Sequence, residues 1–106
     1  MPLPEDVKAK ARALWRAGRY WEVHEVLEPL WLSASGPERE FLQGLIQLAA
    51  ALHKARTSRR GAERLLHKAL GHLRRVPGLD AEAFAEGVRR ALDAPDAPPP
   101  FPLDQK

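Results

Sequence analysis

The stretch Gly18–Trp31, GRYWEVHEVLEPLW, holds one Tyr, two Trp, one His and three Glu, residue types from which proton transfer, metal binding and aromatic recognition are built. Read as a helix, it places Tyr20, Val23, Leu27, Leu30 and Trp31 on one apolar stripe with His24 inside it. An imidazole drawn toward a core needs partners for its polar atoms. Glu28 offers a carboxylate one turn on, at i+4, and Trp21 and Glu25 lie on the same flank. The next helix adds Gln43, Gln47 and His53. Together Tyr20, Trp21, His24, Glu25, Glu28, Trp31, Gln43, Gln47 and His53 would make a polar pocket, walled by aromatics, between the second and third helices. Pro29 withholds an amide from the Glu25 carbonyl, which leaves a free acceptor there and predicts a bend.

Several chemistries can be tested against this spacing. The zinc motif H-E-x-x-H requires a second His where Glu28 stands, so it is not met. The di-iron motif Glu-x-x-His is also unmet, since none of the four His has a Glu three residues before it. His24, Glu28 and His53 could still hold a divalent metal, with Glu25 as the catalytic general base of a hydrolase. Alternatively, His24, Glu28 and Gln47 orient a small ligand or peptide beside Tyr20, Trp21 and Trp31. The plain structural alternative is a semi-buried imidazole satisfied by its i+4 carboxylate, with the two Trp as packing.

Other chemistries are excluded more firmly. Cysteine is absent, and with it disulfides and thiolate chemistry. No Ser sits in a G-x-S-x-G turn, and the scattered glycines make no phosphate loop. Charge is uneven: Lys54–Arg75 carries eight Lys or Arg and one acid, so the basic balance of the chain is concentrated there. A face of Arg60, Arg64, His67, Lys68, Arg74 and Arg75 could meet nucleic acid or an acidic partner, but no aromatic within it offers a stacking platform.

The elements that must position these groups are helices throughout. Ile and Thr occur once each, and no long alternating run marks a strand. Helices are expected from about Glu5 to Ala17, Arg19 or Tyr20 to Ser33, Pro37 to Arg56, Arg59 to Arg75, and from an Asp80 cap to Leu92. The expectation is an all-α bundle of about five helices, two hairpins plus a last helix, over 1–93, followed by an extended Pro-rich tail over 94–106. Phe101 and Leu103 are placed to anchor that tail; a disordered end is the alternative. A small-residue seam, Gly44, Ala51 and Ala55, would admit a close neighbour, either within the chain or in a homodimer. No apolar run nears the roughly 18 residues of a membrane span, and the start lacks a signal-peptide pattern, so a cytoplasmic setting is expected. Twelve Arg against five Lys, with no Asn, suit a heat-adapted host.

The motif Gly18-x-Tyr20, His24-Glu25-x-x-Glu28-x-x-Trp31, continued by FLQGLIQLAAALHKA from Phe41 to Ala55 and GAERLLHKAL from Gly61 to Leu70, resembles a family of small bacterial and plant proteins catalogued as a domain of unknown function, with an H-E-x-L/W-E-x-x-W signature. The resemblance spans about Leu14 to Leu73 and implies an all-helical fold without an assigned activity. Its motif positions are His24, Glu25, Glu28, Trp31, Gln43, Gly44, Gln47 and His53. Where the family often has a Gly-Asn turn, this chain has Thr57-Ser58-Arg59-Arg60. The reading carried forward is a binding or scaffold module for a small ligand or protein partner. The metal-dependent hydrolase and nucleic-acid binding are its alternatives.

Overall fold

Acids at one end and a glycine at the other delimit the first helix, α1 (Glu5–Arg16), in the computed structural model, which describes residues 3–94 and 96–104. Glu5 and Asp6 sit in its first turn, where they complement the helix dipole. At the other end Gly18 adopts φ +73°, its amide bonds the Trp15 carbonyl at 2.9 Å, and the Arg19 amide bonds the Leu14 carbonyl at 2.8 Å. This paired closure needs a left-handed residue, which glycine supplies without strain. It lets α2 (Tyr20–Ser33) begin two residues later and run through Pro29 as one helix.

Gly36, at φ +62°, opens α3 (Gly36–Ala55). The Ser58 hydroxyl accepts the Gly61 amide at 2.9 Å and caps α4 (Arg59–Leu73). Asp80 caps α5 (Ala81–Ala91) by accepting the Ala83 amide at 3.1 Å. Helix α4 stops two residues before the expected end. The Arg75 and Val76 amides reach only three residues back, to His72 and Leu73, and Pro77-Gly78 follows. Among the described residues there is no strand, and no helix is long and apolar enough to cross a membrane.

Helix α3 is central, with α2 and α4 each packed against it. Phe41, Leu42, Leu45, Ile46, Leu48, Ala49 and Leu52 are buried, and Phe41 meets Phe84 of α5 at 5.6 Å between ring centroids. A Cβ on Gly44 would stand 2.5 Å from Leu73 Cδ2, so α3 and α4 approach as closely as they do because residue 44 has none. The small-residue seam is therefore answered, at Gly44, within the chain.

The proline-rich segment lies extended against α1 and ends in a short 3₁₀ turn, Pro102–Asp104. Positions 95, 105 and 106 of the expected tail lie outside the described residues. Phe101 is buried edge-on to Trp15, with centroids 5.5 Å apart, and the Trp15 indole N–H donates to the Pro99 carbonyl at 2.8 Å. Asp104 accepts hydrogen bonds from Arg12 at 2.9 Å and Arg16 at 3.0 Å, and the Arg12 contact foremost holds its carboxyl below the usual range. Leu103 is half-buried.

Phe101→Ala should accordingly cost about 3–5 kcal/mol in urea unfolding. An unchanged midpoint would mean that this segment does not belong to the cooperative unit.

Candidate functional site

The residues of α2 divide by direction once its buried side is fixed. Tyr20, Val23 and Leu27 enter the core. Tyr20 packs edge-to-face on Trp15 at 5.7 Å, and the Arg56 guanidinium lies 5.0 Å above its ring while donating to the Gly18 carbonyl at 2.6 Å. The Tyr20 hydroxyl is buried without a hydrogen-bond partner among the described residues, and burial raises its pKa against the opposing charge of Arg56. Tyr20 is thus part of the core and not a pocket wall.

On the flank toward α3, the His24 Nε2–H donates to Glu28 at 3.0 Å. The Trp21 ring stands edge-on to His24 at 5.0 Å and tilted against His53 at 5.8 Å. Four of the expected residues, Trp21, His24, Glu28 and His53, therefore meet. Trp31 is half-buried further along, with the Arg39 guanidinium 4.3 Å above its ring. Glu25 instead lines a groove between α1 and α2 with Glu22, Val26, Pro29 and Lys10.

Gln47 does not join the cluster, and Gln43, one turn beyond Arg39, lies along the edge of α3 that meets Trp31. Gly44 faces α4, and His53, nine positions later, lies about half a revolution around α3 and meets α2. Gln47 is only about 60° from Gly44 by the same count, on the α4 side. Its buried Oε1 has no hydrogen-bond partner. The nine residues expected to form one pocket are therefore spread over a surface cluster of four, a half-buried Trp31 with Gln43 near it on α3, a core tyrosine, a groove carboxylate and one amide on the α4 side.

The candidate ligand set is corrected likewise. Among the described residues no group of three or more His, Asp or Glu side chains is gathered closely enough to hold a metal ion. His24 and His53 each pack on the Trp21 ring, which puts an indole, not a shared ligand position, beside both imidazoles. Among the described residues His24, Glu28 and His53 therefore do not converge as a ligand set beside Glu25.

The basic face also divides. Arg74 bonds Glu82 at 2.6 Å and Arg75 lies 3.5 Å from Glu40, so both are engaged within the chain. Arg60, Arg64, His67 and Lys68 stay exposed around a shallow depression of α4 that Glu63 also borders. A pairing that helical periodicity could not reveal links α3 and α4: the His72 Nδ1–H donates to Glu40 at 2.7 Å. That hydrogen bond, chiefly, holds the Glu40 carboxyl below the usual range, with Arg75 adding to it and burial opposing. The only sequence signal is that both residues lie beside the apolar stripes that pack together.

A family model described as a domain of unknown function (DUF309) matches residues 9–65. Among solved structures, the chain is similar to a conserved hypothetical protein from Thermus thermophilus, with 48% identity and a TM-score of 0.72, over 88% of this chain and 100% of that one. No curated protein matches the chain significantly.

Because Glu40 titrates lower in the folded state, its contribution is present above the unfolded carboxylate pKa and is lost as pH falls through the folded value. His72→Gln should move the Glu40 carboxyl titration, followed by NMR, back up toward the ordinary range; an unmoved titration would place the cause elsewhere.

Proposed function

The chain belongs to the DUF309 family, and within it we propose that the chain is a protein-docking module that uses the outward stripe of α2. The observation that carries this reading is where the exposed apolar side chains stand. Among the described residues the two large hydrophobic side chains left exposed are Trp21, 53% exposed, and Leu32, 63% exposed. They lie eleven positions apart on one helix, which returns them to the same face roughly 16 Å apart along its axis.

Between them Glu28 lies on that stripe and Glu25 at its edge, where the groove toward α1 begins, and both are exposed. The side chain of Glu28 still accepts from His24, and His24 and His53 brace the Trp21 ring from two sides. A braced, half-exposed indole loses little conformational freedom on docking, which is why Trp is enriched at binding hot spots. Two apolar anchors with carboxylates between them complement a helix that carries apolar residues at matching spacing and Lys or Arg between them.

Leu32 lies off the apolar stripe of Tyr20, Val23, Leu27, Leu30 and Trp31, and of Leu30, Trp31 and Leu32 it is the side chain that stays exposed. We read His24-Glu25-x-x-Glu28-x-x-Trp31, which lies inside the matched residues 9–65, as the family's functional signature. In this reading its polar members position Trp21 and present charge; they perform no bond chemistry.

Selection from a display library of helical peptides should enrich sequences that combine basic residues with two apolar anchors. Trp21→Ala should weaken the selected peptides by roughly 30-fold or more, and Glu25→Lys with Glu28→Lys should abolish the preference for basic residues. Undiminished binding to a Trp21→Ala, Leu32→Ser chain whose melting temperature is unchanged would overturn the proposal.

A further inference from the structure

Arginine usage singles out a second surface. Of the twelve arginines, ten have a partner inside the chain. Eight pair with carboxylates, Arg39 stacks on Trp31, and Arg56 bonds the Gly18 carbonyl. The two without one among the described residues are Arg60 and Arg64, which stand one turn apart on α4. Lys68, also without an ion pair there, continues the row one turn further, and His67 borders the same depression. An arginine-rich chain that engages nearly every guanidinium internally leaves its free ones in a single line.

We propose that Arg60, Arg64 and Lys68 bind the phosphodiester backbone of a duplex nucleic acid without reading its bases. Charge, spacing and the lack of other features each narrow the choice. Successive members of the row are about 6 Å apart along the helix axis, so three cations face one line of phosphates. Guanidinium groups pair with phosphate through parallel N–H···O bonds, which suits two arginines at the head of the row.

Single strands are disfavoured as partners because no aromatic side chain lies in the row for bases to stack on. A membrane surface is disfavoured because α4 buries its apolar face against the core, through Ala62, Leu66, Ala69 and Leu73, and leaves no large hydrophobic side chain exposed to insert. An acidic protein is disfavoured because no aliphatic, Trp, Tyr or Phe side chain lines the depression to serve as the anchor that protein interfaces use. What remains is a polyanion recognised by its charge and the regularity of its phosphates. The surface is on a different helix from the α2 stripe, so it stands or falls independently of the docking proposal.

The test is fluorescence anisotropy with labelled DNA and RNA duplexes of mixed sequence, using the full chain. Three phosphate contacts predict a slope of about −2.7 for log affinity against log salt, or roughly a 40-fold loss between about 50 and about 200 mM. Arg60→Ala with Arg64→Ala should flatten the slope by about 2, while the charge-matched Arg89→Ala, Arg90→Ala chain, whose arginines serve Glu86, should keep it. Melting curves of both variants confirm folding.

Binding to either duplex with this pattern supports the proposal. It is overturned by absence of duplex binding at low salt, or by equal losses in the two variants. Tighter binding to a single strand, or Arg60- and Arg64-dependent binding to poly-glutamate or phosphatidylserine vesicles in place of the duplexes, overturns it equally.

Discussion

The contact between Gly44 and Leu73 sets the geometry on which the rest of the bundle depends. With 2.5 Å between Leu73 Cδ2 and the place a Cβ would occupy, α3 and α4 can meet in this way only through glycine. A buried helix that is apolar nearly all round has no self-evident rotational setting. Seating Gly44 on Leu73 supplies one. It sends His53 round to Trp21 on the α2 side and keeps Glu40 and Gln47 on the α4 side, where Glu40 meets His72. Two surface features, the Trp21 cluster and the Glu40–His72 pair, thus share one cause in the core.

A second constraint fixes α2 against this frame. The left-handed Gly18 turns the chain sharply, Arg56 ties its carbonyl to the end of α3, and the same guanidinium covers the Tyr20 ring. The cost is visible: the Tyr20 hydroxyl is buried without a partner among the described residues, a defect worth on the order of 1–3 kcal/mol. It is offset by aromatic packing, since Trp15 touches both Tyr20 and Phe101 and donates its N–H to Pro99. With Tyr20, Val23 and Leu27 held inward, helical periodicity leaves Trp21, Glu28 and Leu32 no direction but outward.

The helices are legible in the sequence because their signals are local. Acids in a first turn, glycines after a last one, Pro-Gly stops and a 3.6-residue apolar period place all five to within two residues of their ends. Trp21, His24 and Glu28 are legible as neighbours for the same reason, being one turn apart. Periodicity misplaces Gln47 because its direction depends on the Gly44–Leu73 contact, which joins residues far apart in sequence. The engagement of Arg74 and Arg75 with Glu82 and Glu40 is hidden in the same way. Charge content locates a basic segment, but only the fold shows which of its cations have already been neutralised.

The modest formal charge of +3 conceals a separation that the bundle makes explicit in space. Helices α2 and α4 pack on different sides of α3, so the acidic-apolar stripe of one and the basic row of the other cannot satisfy each other within a chain. The two surfaces differ in kind: apolar anchors flank carboxylates on one side, and cations stand without anchors on the other. The contrast between the two surfaces follows from where each helix places its hydrophobic residues. Helix α4 buries its apolar face against the core and leaves no large hydrophobic side chain exposed, whereas α2 carries more of them than the core takes up and leaves Trp21 and Leu32 outside.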